Sequence, residues 1–280
     1  MPTTRTSQNI DAVNFKEQGS DPAAPGAGYG EIFRTAAGWQ ERVAANASSL
    51  LMAGAFPCDG RLTLTSLLPV TTANVTGATN IYFTPYKGNR IALYDGTRWR
   101  LYTFTEKTLA LGTITSGLPY DVYIYDNAGT LTLELLAWTN GTTRATALVL
   151  QDGVYCKTGA LTRRYLGTFY TTSTTTTEDS DSKRFLWNYY NRVPRNLKSV
   201  ETTNTWTYTL ATWRQSNNVT TTGVTRVECV IGVAEDEVRA EAHNAYITNT
   251  SAVILSNGIG IDITTVNSAQ VYGGAVAAGG

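Results

Sequence analysis

The residues Asp121-Val122-Tyr123-Ile124-Tyr125, the loop Asp126-Asn127-Ala128-Gly129-Thr130 and the run Leu131-Thr132-Leu133-Glu134-Leu135-Leu136-Ala137-Trp138 decide the fold. Two apolar and aromatic runs flank a polar turn with glycine where a positive φ is wanted, which reads as a hairpin. Upstream, Arg90-Ile91-Ala92-Leu93-Tyr94 and Trp99-Arg100-Leu101-Tyr102-Thr103-Phe104 are joined by Asp95-Gly96-Thr97-Arg98, a second hairpin on an Asp-Gly turn. Arg61-Leu62-Thr63-Leu64-Thr65 alternates apolar and polar, the period of a half-buried strand. Further strands are expected over 165–171, 184–193, 225–234 and 238–249. No strand–helix alternation is visible, so a parallel sheet is not expected. Many short strands between turns predict an all-β chain, an antiparallel β-sandwich of jelly-roll type.

The chain changes character near Pro57. Residues 1–56 form an arm containing Asp21-Pro22-Ala23-Ala24-Pro25-Gly26-Ala27-Gly28-Tyr29-Gly30, and residues 57–280 form the β body, divisible into 57–200 and 201–280. Residues 1–28 have little to bury and are expected to be extended or ordered by a partner. Gly30-Glu31-Ile32-Phe33-Arg34-Thr35 leads through Ala36-Ala37-Gly38 into Trp39-Gln40-Glu41-Arg42-Val43, a small hairpin. Such a hairpin is marginal alone and needs other copies or a docking surface. Residues 44–56 read as a short helix or a linker.

Composition excludes several classes. The chain is 280 residues with 42% hydrophobic residues, enough for a core, and only 16% charged ones. Soluble domains usually carry roughly 25%; threonine takes up much of the deficit, favouring pleated surfaces over helices. With 22 basic and 22 acidic residues the net charge is zero, so the basic surface that nucleic acid requires is not expected. The N-terminus lacks the apolar region of a secretory signal, and the apolar stretch over 50–56 is too short for a membrane span. Cys58, Cys156 and Cys229 are widely spaced and odd in number, fitting neither a disulfide framework nor a zinc site; buried free thiols are expected. Asn-x-Ser/Thr triplets such as Asn74-Val75-Thr76 and Asn140-Gly141-Thr142 are expected by chance in so Asn- and Thr-rich a chain.

Two segments interrupt the strand rhythm. Thr171-Thr172-Ser173-Thr174-Thr175-Thr176-Thr177-Glu178-Asp179-Ser180-Asp181-Ser182 is polar and low in complexity. Without the glycine of a calcium loop it reads as a solvated loop. In Arg184-Phe185-Leu186-Trp187-Asn188-Tyr189-Tyr190-Asn191-Arg192-Val193-Pro194 the aromatic residues Phe185, Trp187 and Tyr189 share a face at strand period. That face is either a sugar-stacking platform or packing surface, and packing is preferred because aromatic area is usually buried.

Catalytic groups are sparse. His243 is the single histidine, with no nucleophile motif beside it. Paired carboxylates could cleave a glycosidic bond, and Asp121, Asp126, Glu134, Glu235, Asp236 and Glu237 are the candidates. Asp126 is explained by its turn, and Glu235-Asp236-Glu237 reads as a charged bend. No phosphate loop, dinucleotide glycine pattern or Cys/His cluster occurs. The chain is expected to be a non-enzyme with no cofactor, no metal and no catalytic residue.

The arm from Asp21 to Phe33, with its glycine turn and aromatic strand, resembles attachment segments of tailed-bacteriophage fibre and appendage proteins. The body resembles a phage virion family in Gly88-Asn89-Arg90-Ile91-Ala92-Leu93-Tyr94-Asp95-Gly96, Ser116-Gly117-Leu118-Pro119-Tyr120-Asp121-Val122 and Asp126-Asn127-Ala128-Gly129. Arg163-Arg164-Tyr165-Leu166-Gly167-Thr168-Phe169 and Lys183-Arg184-Phe185-Leu186-Trp187-Asn188-Tyr189-Tyr190-Asn191-Arg192-Val193 extend the likeness, which covers residues 20 to 245. The resemblance implies a β-rich virion protein, commonly a homotrimer, assembled in the host cytoplasm, with no catalytic residues to carry over. Tail fibre, head fibre and capsid decoration all remain open.

The expectation is therefore a trimeric tail fibre or fibre-like appendage. It docks on other virion proteins through its arm, with Tyr29, Ile32, Phe33 and Trp39 as attachment residues. Its body faces a host surface glycan or protein. Capsid decoration is the alternative and a glycan depolymerase the third reading. Trp206, Tyr208 and Trp213 are the candidates for stacking on sugar, against the preferred reading that both tryptophans pack inside. The strands Ala252-Val253-Ile254-Leu255 and Gly260-Ile261-Asp262-Ile263 are expected to need cover, and the Gly-rich 271–280 is expected to be flexible or packed on a neighbouring subunit.

Overall fold

The computed structural model describes residues 31–35, 38–43, 47–50, 56–203, 213–215, 217, 225–235, 238–242, 253–262 and 272–276. Among them the regular elements are β-strands with no α-helix, arranged in several antiparallel sheets, so the chain is all-β. Strands β1 (Glu31–Thr35), β2 (Gly38–Val43) and β3 (Ala47–Leu50) form a meander of their own. The expected hairpin is its first half. The third strand corrects the helix-or-linker reading of 44–56: a free edge on β2 offers Ala47 to Leu50 a hydrogen-bonded ladder, and tertiary pairing overrides helix propensity.

The body begins with β4 (Gly60–Thr63), β5 (Val75–Ala78), β6 (Asn80–Pro85), β7 (Arg90–Tyr94), β8 (Trp99–Thr103) and β9 (Lys107–Ala110). Strands β4, β6 and β9 form one sheet, and β7 with β8 the hairpin read from Asp95-Gly96. Asp95 Oδ1 accepts the amides of Thr97 and Arg98, each at 2.9 Å, and closes that turn. The largest sheet is ordered β11-β10-β14-β13-β12, from β10 (Pro119–Asn127), β11 (Thr130–Ala137), β12 (Leu148–Gln151), β13 (Val154–Lys157) and β14 (Ala160–Tyr170). Strand β17 (Leu186–Asn188) adds to the end of β14 that β13 leaves unpaired. At the β10–β11 turn Ala128 as well as Gly129 has positive φ, 50° and 92°.

One core joins these sheets. Leu62, Ile81 and Phe83 from the first sheet meet Val122, Ile124, Leu131, Leu133 and Leu166 from the large one, with Ile91 and Leu93 of β7 between them. Each large apolar side chain buried there contributes about 1.5–3 kcal/mol. The opposite face of β10 and β14 is covered too, by Trp187, Val230 and half-buried Tyr155, Tyr189 and Ile231 packed on Tyr123 and Tyr165. Hence β4 is not the half-buried strand expected: Gly60, Arg61, Leu62 and Thr63 are all buried. Phe185 and Trp187 are buried as well, so the aromatic segment is packing rather than a sugar platform.

Several strand expectations need correction. The 184–193 run breaks at Phe185 into β16 (Lys183–Arg184) and β17, and β17 ends at Asn188, whose side chain turns to β4. Leu62 N–H donates to Asn188 Oδ1 at 2.7 Å, and Asn188 Nδ2 returns a bond to Leu62 O at 3.0 Å. Within 225–235 only β18 (Glu228–Cys229) is a strand, and it pairs parallel to β16 over two residues, a parallel contact that was not expected. The chain then passes Gly232, where an added Cβ would overlap Tyr165 Oη and Thr168 Oγ1. Residues 238–242 carry no strand, and the rest of the expected 238–249 strand lies outside the described residues.

The Thr-rich 171–182 is no solvated loop. Thr172 N–H donates to Thr176 O at 2.8 Å in a tight hairpin, β15 (Thr177–Asp179) pairs with β5, and Thr171, Thr177, Asp179 and Ser180 are buried. At the C-terminus β19 (Val253–Asn257) pairs with β20 (Tyr272–Val276), so Gly-rich 272–276 is a strand, while the described residues 260–262 of the expected second strand carry none. Of the cysteines, Cys58 and Cys156 are buried and their thiols pushed up to about 11 by desolvation, whereas Cys229 is exposed.

Candidate functional site

Two arginine–aspartate clusters stand out. The first is built on a β-bulge. Val122 pairs with Gly167 but Tyr123 pairs with Tyr165, so Leu166 is the extra residue in β14. Residues three apart on a regular strand point to opposite faces; the bulge turns Tyr165 and Thr168 to the same side. Thr168 Oγ1 donates to Asp121 Oδ1 at 2.7 Å and lies 2.6 Å from Tyr165 Oη. Arg144 Nε meets Asp121 Oδ2 at 2.8 Å, and its Nη2 donates to the Gly232 carbonyl. The Arg144 guanidinium lies 4.4 Å from the Trp138 ring centroid. Burial, then the Asp121 charge, pushes the Tyr123 and Tyr165 hydroxyls far up. Asp121 is 1% exposed; a carboxylate so enclosed and so fully bonded locks strands together.

The second cluster lines an open groove of about 670 Å³ between β17, the strandless 192–197 and the segments around 230 and 239. Asp179 lies buried behind the lining arginines: Oδ1 accepts Arg184 Nη1 at 3.1 Å and Oδ2 accepts Arg195 Nη2 at 3.1 Å. Arg184 also reaches exposed Asp181 at 3.1 Å and donates Nε to the Asn196 carbonyl at 3.0 Å. Arg61, 5% exposed, donates Nη1 to the Asn191 carbonyl at 2.6 Å. Its pKa is lowered, first by burial and then by the Arg195 guanidinium. Asn191 holds this end in place, at φ 53°, by donating Nδ2 to the carbonyls of Cys58 and Gly60 at 2.7 and 2.9 Å. At the rim, Arg192 lies 5.4 Å from the Trp187 centroid and pairs with Glu235 at 3.2 Å, while Arg239 pairs with Glu241 at 2.5 Å. Leu186, Pro194, Val230 and Ile231 supply an apolar wall.

A third arginine holds the chain just ahead of β4. Arg164, 1% exposed, donates Nη2 to the carbonyl of Phe56 at 2.9 Å and Nη1 to those of Pro57 and Ala92 at 2.9 and 2.7 Å. Its guanidinium sits 4.5 Å from the Tyr190 ring centroid.

Of the residues read from sequence, Trp213 is 37% exposed, which corrects the reading that it packs inside; it is not part of the groove. Trp206, Tyr208, Tyr29, His243, Asp236 and Glu237 lie outside the described residues. Ile32, Phe33 and Trp39 stand on the β1–β2 hairpin, opposite Glu41, Gln40 and Arg34. The candidate carboxylates are engaged internally. Asp126 accepts Gly129 N–H at 2.7 Å and Tyr102 Oη at 3.0 Å, Glu134 bridges Lys157 and Arg163, and Glu235 pairs with Arg192. Sequence reasoning missed the groove. Its signal was Arg192-Val193-Pro194-Arg195, two arginines about a strand-breaking proline after the aromatic run. Among the described residues no group of three or more His, Cys, Asp or Glu side chains could hold a metal, and no helix is long and apolar enough to cross a membrane.

Comparison of the chain with protein-family models, with curated proteins and with solved structures found no match.

Proposed function

We propose that the chain is a structural protein of a bacteriophage particle, a trimeric tail fibre or fibre-like appendage. Residues 1–56 dock on other virion proteins through Tyr29, Ile32, Phe33 and Trp39, and the body of 57–280 is presented to the host surface. The observation that carries this reading is the division of the sheets. Among the described residues β1, β2 and β3 pair only with one another, and the chain enters the body at Phe56 and Pro57 under the Arg164 clamp. A self-paired element ahead of a chain segment held at Phe56 and Pro57 suits a part attached at one end and displayed at the other. We read the body as a jelly-roll-like sandwich, with 57–200 as its centre and 201–280 as added strands. What supports this is the single core between the β4-β6-β9 sheet and the large sheet.

A non-enzymatic role is part of the proposal, and it draws support from the internal bonding of Asp121, Asp126 and Glu134. Deleting 1–56 tests the reading. The truncated body is expected to fold, judged by a cooperative melt, and to be missing from particles of the phage that encodes it. Incorporation of the truncated protein overturns the arm assignment. Sedimentation of the full chain is expected at three times 30.3 kDa, and antibody labelling of particles is expected at the tail. Labelling over the head replaces the fibre by capsid decoration, and release of reducing ends from host polysaccharide replaces it by a depolymerase.

A further inference from the structure

The groove beside β17 has more cation than its own carboxylates balance. In its floor Arg61, Arg184 and Arg195 face one buried carboxylate, Asp179. Asp181 adds a second negative charge to Arg184, but it is solvent-exposed and its field is screened. The guanidiniums are not loose. Arg184 is fixed by three oxygens, those of Asp179, Asp181 and the Asn196 carbonyl, and Arg61 by the Asn191 carbonyl. Cationic forks fixed in advance bind a planar oxyanion without the cost of ordering them.

We propose that this groove binds the carboxylate of an acidic saccharide. Two features choose a sugar acid over a bare anion. The volume of about 670 Å³ lies in the range of small-ligand clefts and exceeds what an inorganic oxyanion fills. The wall of Leu186, Pro194, Val230 and Ile231 offers an apolar surface to the C–H face of a pyranose beside the carboxylate. Arg192 and Arg239, both exposed along the groove, pair with Glu235 and Glu241 and can exchange those partners for the ligand. The zero net charge of the chain argues against a nucleic-acid backbone as the anion. The inference deepens the host-surface half of the proposed function and rests on it for its biological sense, though not for its chemistry.

The test titrates the full chain with a disaccharide ending in glucuronic acid, its neutral glucose counterpart and inorganic phosphate. Binding is read by calorimetry and by tryptophan fluorescence, since Trp187 underlies Arg192. The acidic disaccharide is expected to bind saturably, more weakly at high salt, and the neutral one at least about tenfold more weakly. Arg192→Gln and Arg239→Gln, at the rim, are each expected to weaken the acidic sugar about tenfold without changing the melting temperature. Arg61→Lys keeps the charge but loses the fork, and is expected to weaken it as well if the protein folds. No binding, or equal binding of both disaccharides, overturns the proposal; phosphate binding as tightly as the acidic sugar overturns the saccharide part. The rim variants are expected to enter particles normally. Normal entry with no sugar binding sinks the groove alone, and sugar binding by a protein that labels no particle sinks the virion reading alone.

Discussion

The Asp121–Arg144 centre and the Asp179 groove use the same two residue types and differ in stoichiometry. At the first, one guanidinium meets one carboxylate, and Thr168 takes the remaining oxygen while Tyr165 and Trp138 close the sides. At the second, Asp179 is divided between Arg184 and Arg195, with Arg61 beside them. A balanced set excludes water and ties strands together; an unbalanced one keeps a demand for anion and remains open to solvent. Burial does not separate them, for Arg144 is 19% exposed beside Asp121, while Arg184 and Arg195 are 13% and 20% exposed beside Asp179; the difference lies in the count of charges.

The largest break in this contrast is expected at the closed centre. Asp121→Ala leaves the half-buried Arg144 guanidinium without its carboxylate and the buried Thr168 hydroxyl without its acceptor, and is expected to lower stability by about 3 to 5 kcal/mol, measured by urea unfolding. A loss no greater than that of a surface substitution would remove the centre from the structural framework. Next is the joint. Arg164→Met keeps apolar bulk but abandons the carbonyls of Phe56, Pro57 and Ala92, a loss of about 3 kcal/mol. Limited proteolysis is expected to cut near residue 56 faster in this variant, and an unchanged rate would mean that Arg164 does not hold the chain at Phe56 and Pro57.

What was legible in the sequence was local. The Asp95-Gly96 and Asp126 to Gly129 turns announce their hairpins because side chain and backbone of the same few residues close them. The register, the sheets and the core required partners far along the chain. Arg61 and Asp121 occupy positions that alternation assigns to solvent, yet both are buried, Asp121 on the face of β10 that Val230 and Trp187 cover and Arg61 against the Asn191 carbonyl. The Leu166 bulge leaves no mark in the residue pattern, and the Asn188 amide replaces a strand ladder that no period reveals. The groove was hidden for the same reason: β4, β16, the 192–195 segment and residue 239 each bring one or two arginines, and only the fold makes them neighbours.

Asp179→Asn sharpens the comparison from the open side. It removes the buried anion shared by Arg184 and Arg195, so stability is expected to fall by about 2 kcal/mol, less than at the closed centre because the asparagine oxygen still accepts from one of the two arginines. Affinity for the acidic disaccharide is expected to rise in the same variant. A rise with a loss of stability is what an unbalanced site demands, and a fall in both would make Asp179 part of the ligand seat.

The smallest effect is expected at a carboxylate that belongs to neither cluster. At Asp95 burial alone would raise the pKa, but the Arg100 guanidinium and the amides of Arg98 and Thr97 outweigh it and bring it down from 3.8 to about 2. The folded protein therefore holds the charged form more strongly than the unfolded chain does. That contribution is complete above pH 3.8 and is lost as pH falls through about 2. The pair is solvent-screened, so its share of stability is small. Asp95→Asn is expected to flatten the acid limb of the melting curve between those two values and to change little at neutral pH. An equal loss at pH 7 and pH 2 would show that the turn depends on the shape of Asp95 and its hydrogen bonds, and not on its charge.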